Sequence, residues 1–212
     1  MGEININDKA FFFEDIELTY EQATIITPAI AKQNLIIFKK TLDKRRLPFF
    51  LMHGTLLGAI REHDFIKHDI DIDTCVTDEE ALKEAIPDLS EAGLKLCRYQ
   101  EHLLYSFIKD NVYIDVYIVN KLEGLIGLFY VRYLGNIIPK KFFIGSKNIL
   151  FQGEKFRVPF YTMQLLKFWY GKDWRTPKEN APSNDRDQRG YFLEHERKYR
   201  FLFRPIKKII KW

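Results

Sequence analysis

His53-Gly-Thr-Leu-Leu-Gly-Ala-Ile-Arg61 and, after a short lead-in, Lys67-His-Asp-Ile-Asp-Ile-Asp73 form the stretch whose reading decides the fold. Asp69, Asp71 and Asp73 alternate with Ile70 and Ile72, the period of a β-strand, which points all three carboxylates to one face. Side chains two apart on a strand are about 7 Å apart at Cα, so neighbouring carboxylates can converge on one divalent cation. Asp is depleted in strands and like charges on one face repel, so the element needs a compensating positive charge. Magnesium suits it, because that ion takes one or two carboxylates and completes its shell with water and substrate phosphate; manganese is the substitute. The competing account is an edge strand with a solvated acidic face.

On the N-terminal side, Pro48-Phe-Phe-Leu-Met52 reads as a buried strand that runs into His53-Gly54-Thr55. Gly54 frees the backbone at the turn, and Thr55 is expected to open a short helix through Ile60. A strand ending in Gly-Thr at a helix N-terminus can cradle phosphate, although many strand-to-helix turns share the pattern. Before it, apolar residues from Ile25 to Leu42 predict a helix within about residues 19–46, kinked or restarted at Pro28.

On the C-terminal side, Thr77-Asp-Glu-Glu80 resembles a capping box for a helix reaching Ala92-Gly93, with Pro87 near its end or at a break. Three extended segments follow over 94–99, 103–108 and 112–119, the last two joined at Lys109-Asp110-Asn111 as a hairpin. Asp115 is the sole acid in the last of these apolar strands, which suits a metal ligand or a partner for a nearby Arg or Lys. A hairpin turning at Gln152-Gly153, stopped by Pro159, and a helix from about Tyr161 to Gly171 come next. The polar stretch from Glu179 to Arg189 reads as a loop.

The 212 residues fit one domain, with 46% hydrophobic and 29% charged residues and an unusual 18 Phe and 11 Tyr. Two cysteines, Cys75 and Cys97, make neither a disulfide framework nor a zinc cluster. With no long apolar run and no basic, apolar leader, the expectation is a cytoplasmic protein. No nucleic-acid motif is present, so no nucleic-acid partner is expected. Residues 197–212 carry seven Lys or Arg and no acid, leaving the other 196 with a net charge of −3. This basic, apolar tail suits a peripheral attachment to the anionic inner face of the cytoplasmic membrane, or a final amphipathic helix packed on the domain. The organisation expected is one catalytic domain over 1–196 and a basic helical tail over 197–212.

Taken together, Gly54-Thr-Leu-Leu-Gly-Ala-Ile-Arg61, Phe65-Ile66 and Asp69-Ile-Asp-Ile-Asp73 resemble the LicD and fukutin-related family of phosphotransferases, within the nucleotidyltransferase-fold superfamily. Ile114-Asp115-Val116-Tyr117 is similar to that family's further acidic strand, as is Val158-Pro159 leading to Tyr170-Gly-Lys-Asp-Trp-Arg-Thr-Pro177, so the likeness runs from about Phe49 to Pro177. Two departures stand out: Lys67-His68-Asp69 replaces the usual Pro-Trp-Asp, and His53 replaces an apolar residue or Gly.

The resemblance implies an α+β nucleotidyltransferase-like fold, a mixed β-sheet flanked by helices. It implies transfer of a phosphoalcohol, of phosphocholine or phospho-alditol type, from a CDP-activated donor to a sugar hydroxyl of a surface glycan or its lipid-linked precursor. True nucleotidyl transfer and a non-catalytic glycan-binding role are the alternatives. Asp69, Asp71, Asp73 and Asp115 would hold the metal, with Asp71, Asp73 and Asp115 catalytic. Gly54, Thr55 and Arg61 would face the donor phosphates, with Lys67 and His68 in place of the usual aromatic; Arg61 could instead pair with the aspartates. For the tail, co-sedimentation with anionic liposomes should fall several-fold when the chain ends before Arg197; equal binding would remove its role as an anchor.

Overall fold

The computed structural model describes residues 1–16 and 24–177. The chain forms two compact units, Met1–Tyr161 and Thr162–Trp212. The basic tail over 197–212, the loop expected over 179–189 and residues 19–23 of the first expected helix lie outside the described residues.

In the first unit the order is β1 (Gly2–Ile6), β2 (Lys9–Phe13), α1 (Pro28–Lys44), β3 (Phe49–Leu51), α2 (His53–Arg61), β4 (Asp71–Val76), α3 (Glu79–Glu91), β5 (Lys95–Gln100), β6 (Leu104–Lys109), β7 (Val112–Lys121), β8 (Tyr130–Tyr133), β9 (Asn136–Pro139), β10 (Ser146–Phe151) and β11 (Glu154–Pro159). The central sheet runs β3-β4-β7-β6-β5, and the far end of β7 also carries β8 and then β9. β4 and β7 are parallel, and the other pairs are antiparallel. A parallel pair needs a long crossover, which α3, β5 and β6 supply. The result is the mixed α+β architecture expected, with a mixed sheet flanked by helices.

The sheet has one apolar and one polar face where the strands are central. Ile72, Ile114, Phe107 and Leu96 stand opposite one another on β4, β7, β6 and β5, and all four are buried. Their side is covered by α1, whose Phe38 ring lies 6.2 Å from that of Phe107 and 5.0 Å from that of Phe49. Burying a side chain of this size contributes about 2 to 3 kcal/mol. In the next row, one residue on in β4 and β7, one back in β6 and two on in β5 across an irregularity, side chains turn to the opposite face. That row holds Asp73, Asp115, Ser106 and Arg98, and it builds the site described below.

Local chemistry explains the element boundaries. Pro28 opens α1 at its first turn, where a missing N–H costs nothing. Asp78 caps α3 by accepting from the Ala81 N–H at 3.0 Å. That helix continues past Pro87 to Glu91 because buried Leu89 anchors its last turn. The turns Asp110-Asn111 and Gln152-Gly153 have positive φ at both residues, as tight hairpins require. Among the described residues, three hairpins are additional to those expected: β1–β2 turning at Asn7-Asp8, β5–β6 joined through residues 101–103, and β8–β9 turning at Leu134-Gly135. In the second unit, α4 (Thr162–Tyr170) ends at Gly171, whose φ of +85° and N–H to Lys167 O at 3.1 Å close the helix.

α2 begins at His53, two residues before the expected start at Thr55, with extended Met52 as its cap residue. Gly58 is required inside it because the returning chain lies on the helix: a Cβ there would sit 2.5 Å from Asp64 O and 3.1 Å from Ile66 N. Gly58→Ala should therefore destabilise the fold by about 1 to 3 kcal/mol despite the better helix propensity of Ala, measured by urea unfolding.

Candidate active site

β4 starts at Asp71, so Asp69 lies in the turn that enters the strand and not on the strand itself. Its position is fixed by backbone pairing, Asp69 N to Ile66 O at 3.0 Å and Ile26 N to Asp69 O at 2.9 Å. The turn still directs its carboxylate to the same place as the others. A Cβ on Gly54 would lie 2.8 and 2.9 Å from the two Asp69 carboxylate oxygens, so glycine is needed there for close approach. Parallel pairing sets Asp73 directly opposite Asp115, with Asp71 two residues back on the same face.

The Gly54-Thr55 turn holds Asp73 in two ways. The Gly54 N–H donates to Asp73 Oδ2 at 2.9 Å, and the Asp73 N–H donates to Thr55 Oγ1 at 2.9 Å. The cradle expected for phosphate at this turn thus has its Gly54 N–H engaged by the strand carboxylate, because the helix N-terminus abuts β4.

Asp115 is buried and meets a residue that sequence reasoning missed. Arg98 Nη2 donates to Asp115 Oδ2 at 2.9 Å, and Arg98 Nε donates to Ser106 Oγ at 3.0 Å. The arginine-partner account of Asp115 is therefore realised in part, since only one oxygen is engaged this way. Asp115 Oδ1 and Asp69 Oδ2 are buried with no hydrogen-bond partner in the protein, a state that is rare unless water, a ligand or an ion completes it.

Crowding shows in the proton affinities. Burial first, then the Asp115 and Asp69 charges, push the Asp71 carboxyl up to about 7, against the pull of Arg98. Asp69 also rises to about 7, through burial and Glu62, opposed by Arg61. Asp73 is raised well above the usual carboxylate range by burial and by its three acidic neighbours. Burial raises Asp115 too, while Arg98 and the nearby Ser106 and Tyr117 hydroxyls restrain it.

Of the other expected residues, Arg61 closes α2 with its guanidinium on Glu62 Oε1 at 2.6 Å, and its charge also reaches Asp69. Lys67 and His68 are exposed on the turn just before Asp69. His53, which departs from the family pattern, has φ +41° and pairs its Nε2 with Tyr133 Oη at 2.8 Å. Its ring stacks on Tyr133 and meets the edge of Tyr117, and burial pushes its pKa down to about 3. It therefore ties β8 to the head of α2 as a neutral residue. His102 lies apart from the carboxylates, on Glu79.

Residues 46–171 match the family model described as LicD/FKTN/FKRP, nucleotidyltransferase domain. The chain belongs to this family. Among curated relatives, the chain is 27% identical over 179 residues to ribitol-5-phosphate transferase FKTN of Homo sapiens and 26% identical over the same length to that of Macaca fascicularis. Each match covers 80% of this chain and 38% of the relative, so the chain spans well under half the length of the curated relatives it matches. Among solved structures, the solution structure of antibiotic-resistance factor ANT(2'')-Ia aligns with a TM-score of 0.54 at 12% identity, covering 83% of this chain and 96% of that one. At that identity the likeness concerns the fold alone, and it agrees with the mixed sheet described above.

Among the described residues, no three carboxylate, imidazole or thiol groups enclose a metal on their own. Magnesium needs no such cage, since it takes one or two carboxylates and finishes its shell with water and phosphate. The donor set fits it in chemistry: hard oxygens, two of them buried without partners, in a cluster whose charges repel.

A carboxyl whose pKa is raised on folding stabilises the protein below its unfolded value near 4, and that contribution is lost as pH climbs through the folded value. In the presence of a chelator, stability should thus fall between pH about 4 and about 7. Asp71→Asn should flatten this slope by about 1 kcal/mol per pH unit or less, read from thermal midpoints across the pH series.

Proposed function

We propose that this chain transfers a phosphoalcohol from a CDP-activated donor to a sugar hydroxyl of a glycan or its lipid-linked precursor, with magnesium as cofactor. The observation that carries the reading is the in-register pair Asp73 and Asp115, with Asp71 beside them, in a chain of the LicD/FKTN/FKRP family. Similarity to ribitol-5-phosphate transferases supports a phospho-alditol as the transferred group.

Asp71 and Asp73 would hold magnesium, with Asp115 as a neighbouring ligand and Asp69 as a further ligand or orienting group. Bound there, magnesium would supply charge neutralisation at the donor diphosphate, which is most of what phosphoryl transfer requires of a protein. Asp115 Oδ1 is the unengaged oxygen, and burial raises the proton affinity of its carboxylate. It would take the proton of the acceptor hydroxyl as that oxygen attacks the phosphorus bearing the alcohol and the phosphoanhydride bond breaks to release CMP. Arg61 is paired with Glu62 and its charge also reaches Asp69, while exposed Lys67 and His68, on the turn just before Asp69, would meet donor phosphate. No helix among the described residues is long and apolar enough to cross a membrane. A cytoplasmic location, peripheral at the inner face of the membrane, goes with lipid-linked acceptors.

With CDP-ribitol, CDP-glycerol or CDP-choline and a panel of glycan acceptors, the expected product is CMP. Asp115→Asn should lower kcat by about 10²- to 10⁴-fold, and Asp71→Asn should abolish the magnesium-dependent rate while leaving the circular-dichroism spectrum intact. Release of pyrophosphate from nucleoside triphosphates, with no CMP from any CDP donor, would instead establish nucleotidyl transfer.

A further inference from the structure

The polar row of the sheet holds a residue that the proposed chemistry has not used. Register places Asp73 opposite Asp115, Asp115 opposite Ser106, and Ser106 opposite Arg98, so one line of side chains crosses four strands. Arg98 reaches that line through an irregularity. Leu96 pairs with Phe107, but the next pair is Arg98 with Ser106, leaving Cys97 as an extra residue in β5. Regular pairing would have set Cys97 opposite Ser106 and shifted Arg98 to the next position, on the other face. A bulge of this kind re-aims a side chain, and such features concentrate beside active sites.

The geometry around Arg98 is also one-sided. Its Nε is held by Ser106 Oγ at 3.0 Å and its Nη2 holds Asp115 Oδ2 at 2.9 Å, while Asp115 Oδ1 has no partner. The side chain of Asp115 is 6% exposed and that of Arg98 is 26% exposed, so the ion pair is shielded on the carboxylate side. A carboxylate with both oxygens free can rotate; one with a single oxygen clamped cannot without breaking a charge-assisted bond. Lysine could not replace this clamp, because a point charge lacks the two-armed fork that spans Ser106 and Asp115.

Resting on the metal-dependent transferase reading, we propose that Arg98 is a positioning residue: aimed by the bulge at Cys97 and anchored by Ser106, it fixes Asp115 Oδ2 so that Oδ1 is presented to the metal and the acceptor. Outer groups that orient a ligand in this way affect metal affinity by about 10- to 100-fold when removed. Two changes isolate position from charge. Arg98→Lys keeps the positive charge and removes the fork, and Ser106→Ala keeps the arginine and removes its anchor together with the hydroxyl beside Asp115.

The test titrates magnesium alone into the full chain and takes the apparent Kd from the concentration dependence of the thermal midpoint. Wild type should be stabilised, Arg98→Lys should bind about 10-fold more weakly or worse, and Ser106→Ala should be weakened several-fold. Magnesium binding unchanged in both variants, beside a wild type that magnesium stabilises, would overturn the role of Arg98 and leave the transferase reading standing. If Arg98→Lys does not fold, Ser106→Ala alone decides by the same criterion. A wild type that magnesium does not stabilise overturns the metal reading, and the metal-facing role of Arg98 with it.

Discussion

Two carboxylates placed side by side on adjacent parallel strands are the constraint on which the rest of this structure depends. Asp73 and Asp115 are paired in register, both are buried, and burial opposes the charge of each. Like charges held this way raise the free energy of the folded chain unless something opposes them. The neighbouring elements each supply part of that opposition: α2 brings the Gly54 N–H to Asp73, β5 brings Arg98 to Asp115, and Arg61 at the end of α2 acts on Asp69. None of these neutralises the cluster, since all four carboxyls remain raised.

The cost is borne by the opposite face of the same strands. Ile72, Ile114, Phe107 and Leu96 alternate with the polar row and are buried on the side that meets Phe38 of α1. Because alternate residues share a strand, each acidic position is held by the packing of its apolar neighbours. The bulge in β5 reconciles the two demands. It keeps Leu96 in the apolar row and still delivers Arg98 to the polar one, which unbroken alternation between adjacent rows would forbid.

Much of this was legible because it is local. Alternating Asp and Ile fixes which face is acidic, and Asp-Asn and Gln-Gly turns mark two hairpins whose residues adopt the positive φ their chemistry tolerates. What escaped depends on contacts distant in sequence. Asp69 keeps the strand period yet leaves the strand, because Ile66 and Ile26 bind its backbone. Arg98 lies 17 residues from Asp115, and its reach depends on a bulge that leaves no composition signal. The β8–β9 hairpin turns at Leu134, a residue with no preference for its φ of +50°, and is held through Tyr133 and His53. His53 departs from the family's apolar residue or Gly, and only the fold gives the reason: packed between two tyrosines, it is a neutral tie between β8 and α2.

The spacing of the aspartates leaves open whether Asp69 with Asp71 or Asp71 with Asp73 is the leading pair, and the surroundings of each carboxylate differ. Asp73 has one oxygen taken by Gly54 and its N–H taken by Thr55, so the protein has already fixed its orientation. Asp115 is fixed in the same sense by Arg98. Asp71 is half-buried at the first position of β4, and its charge is opposed within the protein by Arg98, which is committed to Asp115. Asp73 and Asp115 are therefore the carboxylates whose orientation the protein fixes, while in the proposed reading the charge of Asp71 would be compensated by the bound cation. Asp71 is common to either pairing along the strand, so a positive ligand that satisfies it is also brought beside the unengaged oxygens of its neighbours.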